Sequence, residues 1–215
     1  MNLNKTIDHT ALKADTSFED IKKLCEEALK YDFASVCVNS CWVAYAKETL
    51  DDSDVKVCTV TGFPLGATSI KAKKAETLAA ISEGAQEIDT VINIAKVIEG
   101  DWDYITTEMK ELSNACRDKG VCLKVILETC LLNDAQISKA AEICAEAGAT
   151  YVKTSTGFSS GGATIEAVKL MADTVKGRCK VKASGGIRSK EDALKMIEAG
   201  ADRIGTSSGI KIIEG

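Results

Sequence analysis

The chain predicts an α/β fold, a (β/α)8 TIM barrel, and three observations carry that prediction. Short β-branched runs alternate with longer segments of helical period, the runs number eight, and one helix-to-strand junction recurs along the chain. The strand candidates are residues 6–8, 35–38, 56–60, 87–91, 122–127, 151–153, 180–183 and 203–205. Between them, residues 17–30, 40–50, 68–83, 101–119, 133–147, 162–175 and 189–199 read as helices, with a short last one after Ser208. Ser17, Ser40, Thr68, Asp101, Asn133 and Ser189 stand where N-caps belong, since their side-chain oxygens accept the unpaired N–H groups of a first helical turn. The recurring junction is Glu83-Gly84-Ala85, Ala147-Gly148-Ala149 and Ala199-Gly200-Ala201, each predicted to end a helix on a left-handed glycine before the next strand. Eight such units in 215 residues fit a compact barrel, read as a single domain over residues 1–215. The alternative, an open doubly wound sheet, lacks a G-x-G-x-x-G after its first strand.

Composition narrows the function classes. At 45% hydrophobic and 27% charged, with a single proline, the chain is neither disordered nor fibrous. A net charge of -5 argues against nucleic acid or an anionic membrane as the main partner, because both need a dominant basic surface. The sequence shows no apolar run of membrane-span length and no signal-peptide pattern after Met1, so a cytoplasmic protein is expected. The nine cysteines include no C-x-x-C pair and share the chain with one histidine, so they read as reduced packing residues rather than a disulfide or metal framework.

The interior is where the pattern breaks. Alternate strand residues of a barrel point inward, and branched apolar side chains normally fill that space. Here the alternation turns Asp8, Asp89, Lys124, Lys153 and Lys182 inward, from five different strands. One strand lysine ordinarily ends in solvent, as Lys180 is expected to do; five converging charges need another explanation, because buried charges persist when paired or when their altered protonation is used. A lysine attacks a carbonyl only as the neutral amine, which at a pKa near 10.4 is roughly one molecule in a few thousand at pH 7. Two ammoniums about 5 Å apart at an effective dielectric near 20 repel by about 3 kcal/mol, enough to favour loss of one proton. Lys153 and Lys182, on consecutive strands, meet that condition, and one of them is expected to form a Schiff base.

A phosphate site is expected beside them. Ser184-Gly185-Gly186-Ile187-Arg188-Ser189 follows the seventh strand and Gly205-Thr206-Ser207-Ser208-Gly209 the eighth, the two places where barrels of this kind hold phosphate on backbone N–H groups. Arg188 adds a charge-assisted contact. A third loop, from Thr154 through Thr156 and Gly157 to Gly162, carries hydroxyls next to Lys153. His9 reads as a hydrogen-bonded structural residue, Gly62-Phe63-Pro64-Leu65-Gly66 as a shaping loop, and Trp42 and Trp102 as packing. Glu128 and Asn93, at strand ends, are candidates for binding substrate hydroxyls or orienting lysines.

Taken together, Ile7-Asp8-His9-Thr10, Ser35-Val36-Cys37-Val38-Asn39, the Gly62–Gly66 loop, Glu87-Ile88-Asp89-Thr90-Val91-Ile92-Asn93, Lys124-Val125-Ile126-Leu127-Glu128-Thr129, Tyr151-Val152-Lys153-Thr154-Ser155-Thr156-Gly157-Phe158, Val181-Lys182-Ala183-Ser184-Gly185-Gly186-Ile187-Arg188 and Arg203-Ile204-Gly205-Thr206-Ser207-Ser208-Gly209 resemble the deoxyribose-phosphate aldolase family almost end to end. The resemblance implies a class I aldolase that reversibly cleaves 2-deoxy-D-ribose 5-phosphate to acetaldehyde and D-glyceraldehyde 3-phosphate, with no metal and no cofactor beyond the covalent lysine Schiff base. It implies Lys153 as the Schiff-base lysine, Lys182 as the lysine that lowers its pKa, and Asp89 as the acid/base working with Lys182 through a water. Asp8, Lys124, Thr154, Thr156 and Gly157 fall in the supporting or substrate-binding positions. Gly185, Gly186, Arg188, Gly205, Ser207 and Ser208 fall on the phosphate-binding ones. The implied partners are small sugar phosphates and aldehydes, with a homodimer or higher homo-oligomer expected.

The sequence departs from the family at Leu12-Lys13-Ala14 and Asn39-Ser40-Cys41, where many relatives have proline, and at Phe158, where some carry a lysine near the phosphate. The competing readings are another phosphate-binding barrel, lyase or isomerase, and a non-catalytic sugar-phosphate sensor. The Lys153 and Lys182 pair separates the first from an aldolase, because an isomerase does not need it.

Overall fold

The computed structural model describes residues 2–215. Eight parallel strands close into a barrel in chain order, with β8 returning to pair with β1. They are β1 (Ile7–Ala11), β2 (Ser35–Val38), β3 (Lys56–Thr61), β4 (Glu87–Val91), β5 (Cys122–Ile126), β6 (Tyr151–Lys153), β7 (Lys180–Ser184) and β8 (Arg203–Thr206). The helices around them are α1 (Phe18–Tyr31), α2 (Val43–Leu50), α3 (Ile70–Ser82), α4 (Ile94–Glu99), α5 (Trp102–Arg117), α6 (Asp134–Glu146), α7 (Ile165–Val175), α8 (Lys190–Glu198) and α9 (Gly209–Glu214).

Local chemistry accounts for the boundaries. Ser17 with Asp20 and Asn133 with Gln136 form reciprocal capping boxes at the starts of α1 and α6, and Ser69, Asp101, Thr164 and Ser189 cap their helices with a side-chain oxygen. The recurring junctions hold: Gly84, Gly148 and Gly200 all take positive φ. At Gly200 a Cβ would also come within 2.7 Å of the Ala172 side chain.

Three elements differ from the expectation. The first strand begins at Ile7 and runs on to Ala11, because a 3-10 turn over Leu3–Thr6 takes Thr6, whose hydroxyl donates to Leu3 O. Residues 40–50 divide into a 3-10 turn and α2. The short α4 follows β4 directly, capped by Asn93 and ended by Gly100 at φ +73°, and six residues are too few for a legible helical period.

The strand faces directed at the helices carry the apolar core, including Val36, Val57, Ile88, Val125, Val152, Val181 and Ile204. None of the cysteines is in a disulfide, and most are buried; Cys41 and Cys130 are exposed. One charged pair interrupts the layer between barrel and helices. Lys73 of α3 donates to Glu108 of α5 at 2.7 Å and to the Val91 carbonyl at 2.6 Å, while Glu108 accepts from the Asn93 N–H at 3.0 Å. Both side chains are fully buried, and burial lowers the Lys73 pKa and raises that of Glu108. The pair ties two helices to the end of β4, where the chain leaves the barrel towards its mouth.

Removing one partner of this pair leaves an uncompensated buried charge. Lys73→Met should lose about 3–5 kcal/mol in denaturant unfolding, and Lys73→Met with Glu108→Leu should be less destabilised than the single variant. A double variant as unstable as Lys73→Met alone would show that the lost Val91 contact, not the stranded carboxylate, dominates.

Candidate active site

The predicted inward face is the observed one. Register places Lys153 of β6 beside Lys182 of β7, Asp89 of β4 beside Lys124 of β5, and Asp8 of β1 beside Gly205 of β8. All five charged side chains are buried, and the three lysines meet at one carboxylate. Asp89 Oδ2 accepts from Lys153 Nζ at 2.6 Å and from Lys182 Nζ at 2.8 Å, while its Oδ1 accepts from Lys124 Nζ at 2.7 Å. Lys182 donates also to Asp8 Oδ2 at 2.5 Å. Gly205 makes room for this, because a Cβ there would lie 2.9 Å from Lys182 Cε.

Two further charges complete the cluster and were not among the predicted site residues. Glu87 accepts from Lys124 at 2.7 Å, and Arg203 donates to Asp8 Oδ1 at 2.6 Å and approaches Glu87 at 3.4 Å. Both were recoverable from the alternation, since Glu87 lies two residues before Asp89 and Arg203 two before Gly205. Ser35, which donates to Asp8 Oδ1 at 2.7 Å, and Cys58, which donates to Asp89 Oδ1 at 3.2 Å, also face inward. Nothing in their residue types set them apart from strand packing.

Burial alone would raise the carboxyl pKa of Asp8 and Asp89. For Asp8, Lys182, Lys124 and Arg203 outweigh it; for Asp89, Lys124, Lys153 and Lys182 do, and both carboxyls are held below the ordinary carboxylate range. Burial likewise opposes charge on Lys124, Lys182 and Arg203, yet the neighbouring carboxylates win and raise all three. Three cations held in the charged form therefore face three carboxylates, with Lys153 as the additional nitrogen.

Access separates the lysines. A cavity of about 650 Å³ opens at the C-terminal mouth of the barrel, and of the three interior lysines only Lys153 lines it. Lys182, Lys124, Asp89 and Asp8 lie beneath, with no exposure. The lining also includes Ser184 at the end of β7, Gly185, Gly186, Ile187 and Arg188 after it, and Gly205, Thr206 and Ser207 of β8 and its loop. Gly185 and Gly186 take positive φ, and Gly162 packs so closely on Gly185 that a Cβ there would sit 2.2 Å from its carbonyl oxygen. That approach delays the start of α7 to Ile165 and pins the loops after β6 and β7 together through the Ala163 N–H, which donates to Ser184 O and Gly185 O.

Other predicted residues have different placements. Thr156, Gly157 and Phe158 line the cavity, and Phe63 packs edge-on against Phe158 at 5.3 Å. Glu128, at φ +57°, accepts from the Thr156 hydroxyl at 2.5 Å and its N–H at 3.1 Å, so it shapes this loop rather than facing the cavity. Thr154 is buried, exchanging hydrogen bonds with the Ser184 backbone. Ser208 lies outside the cavity, and its N–H donates to the Thr206 hydroxyl at 2.9 Å. It borders a neighbouring groove of about 750 Å³ against α1 and α9, which contains none of the strand lysines. His9 pairs with Glu27 at 2.7 Å and packs on Phe33, outside the lysine cluster.

The charge arrangement fixes how stability should depend on pH. Asp8 and Asp89 are held below the ordinary value of 3.8, so their contribution is complete above it and drains as pH falls towards the folded values. Lys124 and Lys182 are held above 10.5, so theirs is complete below that pH and is lost as pH rises past it. Asp8→Asn should cost about 3 kcal/mol or more at neutral pH, with the gap to wild type narrowing only at acid pH below the ordinary carboxylate value, as read from denaturant midpoints. A gap that stays constant down to the acid unfolding limb would contradict the charge assignment of Asp8.

Comparison with known proteins agrees with this geometry. The chain matches the DeoC/LacD family aldolase over residues 3–214. It is 60% identical to the deoxyribose-phosphate aldolase of Finegoldia magna and 57% identical to that of Caldanaerobacter subterraneus subsp. tengcongensis, covering all of this chain and 100% and 93% of those proteins. The solved tetrameric deoxyribose phosphate aldolase of Aeropyrum pernix superposes with a TM-score of 0.92 at 35% identity, covering 99% of this chain and 89% of the other. A polar interior in which three lysines share one aspartate thus sits in a chain that belongs to the DeoC/LacD aldolase family.

Proposed function

We propose that the protein is a Schiff-base aldolase that reversibly cleaves 2-deoxy-D-ribose 5-phosphate to acetaldehyde and D-glyceraldehyde 3-phosphate. The observation that carries this reading is the position of Lys153: its nitrogen lies on Asp89, and the residue lines the same cavity as the glycine-rich segments that follow β7 and end β8. The neutral amine is the form that attacks, and the three cations Lys124, Lys182 and Arg203 already balance Asp8, Glu87 and Asp89. A neutral Lys153 therefore leaves no net buried charge behind. Lys182, held protonated by Asp8 and Asp89, stands beside it as a fixed positive charge.

Lys153 Nζ adds to the C1 aldehyde of the open sugar, and loss of water gives an iminium. Base removes the proton of the C3 hydroxyl, the C2–C3 bond breaks, and its electron pair flows into the iminium to give an enamine. Glyceraldehyde 3-phosphate leaves. Asp89, with Lys182 and a bridging water, carries the proton that returns to the enamine carbon, and hydrolysis releases acetaldehyde and the free lysine. The iminium is the electron sink, so the scheme needs no metal or cofactor. The phosphate is assigned to the N–H groups of Gly185, Gly186, Gly205 and Ser207 with Arg188, an exposed cation lining that cavity. Thr156 and Gly157 border the sugar, while Thr154, Asp8 and Lys124 support the site from below.

No helix among the described residues is long and apolar enough to cross a membrane. The reading places the enzyme in the cytoplasm as a homo-oligomer, in line with the tetramer named for the Aeropyrum pernix protein.

Turnover of 2-deoxyribose 5-phosphate, read as aldehyde release, tests the assignment. Borohydride with substrate present should add mass to Lys153 alone, and Lys153→Leu should abolish the adduct and cut turnover by about three orders of magnitude or more. Arg188→Ala should raise KM about tenfold with little change in kcat. An adduct that persists in Lys153→Leu, or activity abolished by a chelator, would overturn the mechanism.

A further inference from the structure

Two thiols inside the barrel have no part in the aldol chemistry. Cys37 and Cys58 are register partners on β2 and β3, and both are fully buried. Their sulfurs and an Asp89 carboxylate oxygen all lie within 4.8 Å of one another, with Cys58 Sγ 3.2 Å from Asp89 Oδ1. A metal ion bound by two thiolates at about 2.3 Å and a carboxylate oxygen at about 2.1 Å separates its donors by roughly 3.5–4 Å. The three side chains therefore stand near coordinating separation, on rigid strands.

We propose that Cys37, Cys58 and Asp89 form a site for a thiophilic divalent ion of the Zn2+ or Cd2+ type, and that its occupancy switches off the lysine chemistry beside it. Binding releases two thiol protons to solvent and forms two metal–sulfur bonds, with no change of oxidation state. One dication enters as two protons leave, so the net charge of the cluster is unchanged, which removes the objection that the neighbouring lysines exclude a cation. The corner already stabilises positive charge: Lys124 Nζ lies 3.1 Å from Cys58 Sγ and 2.7 Å from Asp89 Oδ1. An arriving ion takes over those two contacts, while Glu87 retains Lys124 at 2.7 Å. Two sulfur donors select against Mg2+ and Ca2+, which prefer oxygen.

The consequence for turnover rests on the function proposed above; the binding does not. A metal ion on Asp89 Oδ1 draws charge from the carboxylate, so its Oδ2, which faces Lys153 and Lys182, is too weak a base to relay a proton.

The test uses enzyme with the exposed thiols removed by Cys41→Ser and Cys130→Ser, titrated with Cd2+ and followed by thiolate–cadmium ultraviolet absorption and by cleavage of 2-deoxyribose 5-phosphate. The absorption should saturate at one Cd2+ per chain with parallel loss of activity, and a chelator should restore it. Adding Cys37→Ser or Cys58→Ser should remove the band and raise the inhibitory Cd2+ concentration about tenfold or more, at least the loss seen when even an outer partner of a metal ligand is removed. If one of these variants does not fold, the other decides. A band that persists in the folded variants overturns the site, and a full band with unchanged turnover overturns its coupling to the lysines. Inhibition reversed only by a thiol reductant identifies oxidation and likewise overturns the metal site. Protein that shows the band yet never cleaves the sugar phosphate refutes the aldolase reading while leaving the binding site standing.

Discussion

Everything at the centre of this barrel depends on Asp89 accepting hydrogen bonds from three lysines. An isolated lysine at that depth is strongly disfavoured by desolvation, and so is an isolated aspartate. Held together with Glu87, Asp8 and Arg203 they become tolerable, because each charge sees its opposite within hydrogen-bonding distance. Carboxylates spread over β1 and β4 lock against cations on β5, β6, β7 and β8, so closure of the barrel and assembly of the site are one event. No pair of adjacent strands contains the site.

That dependence explains where the fold obtains its stability. Charges replace much of the usual branched apolar filling inside the barrel, so the hydrophobic contribution comes from the other face of the same strands, through Val36, Ile88, Val125, Val152 and Ile204 packed under the helices. The division is strict because side chains alternate. Shifting any charged strand by one residue would turn a lysine or aspartate into the apolar layer and a valine into the site, so register is strongly specified. The Lys73–Glu108 pair is the exception on the helix side, and it works because Val91 O and Asn93 N–H satisfy what the pair leaves over.

Much of this was legible in the residues because it rests on periodicity. Alternation put Asp8, Asp89, Lys124, Lys153 and Lys182 on one surface, the eight β-branched runs counted the units, and three glycine junctions marked where helices end. The same rule applies to Glu87 and Arg203, but strand-starting charges ordinarily reach solvent, and only the closed barrel shows that these two turn back towards Asp8 and Lys124. The loops were harder to read. Nothing local distinguishes Ser207, which borders the cavity, from Ser208, whose N–H is taken by Thr206. Glu128 looks like a substrate ligand at a strand end until its backbone is seen to turn left-handed and its carboxylate to engage Thr156. Such outcomes depend on contacts between loops distant in sequence, which a local pattern does not encode.

The structure also supplies what residue types cannot, namely why two lysines on consecutive strands have different surroundings. Lys153 and Lys182 are register partners and share one oxygen of Asp89, so neither sequence context nor pairing distinguishes them. The distinction arises from the short β6, which ends at Lys153 and leaves that side chain at the mouth of the barrel. β7 continues two residues past Lys182, through Ala183 to Ser184, and the second amine is fully buried. Lys182 is further secured by Asp8, a contact that Lys153 lacks. One lysine thus borders the cavity while the other is confined beneath it as a cation, and the difference originates in where two neighbouring strands stop.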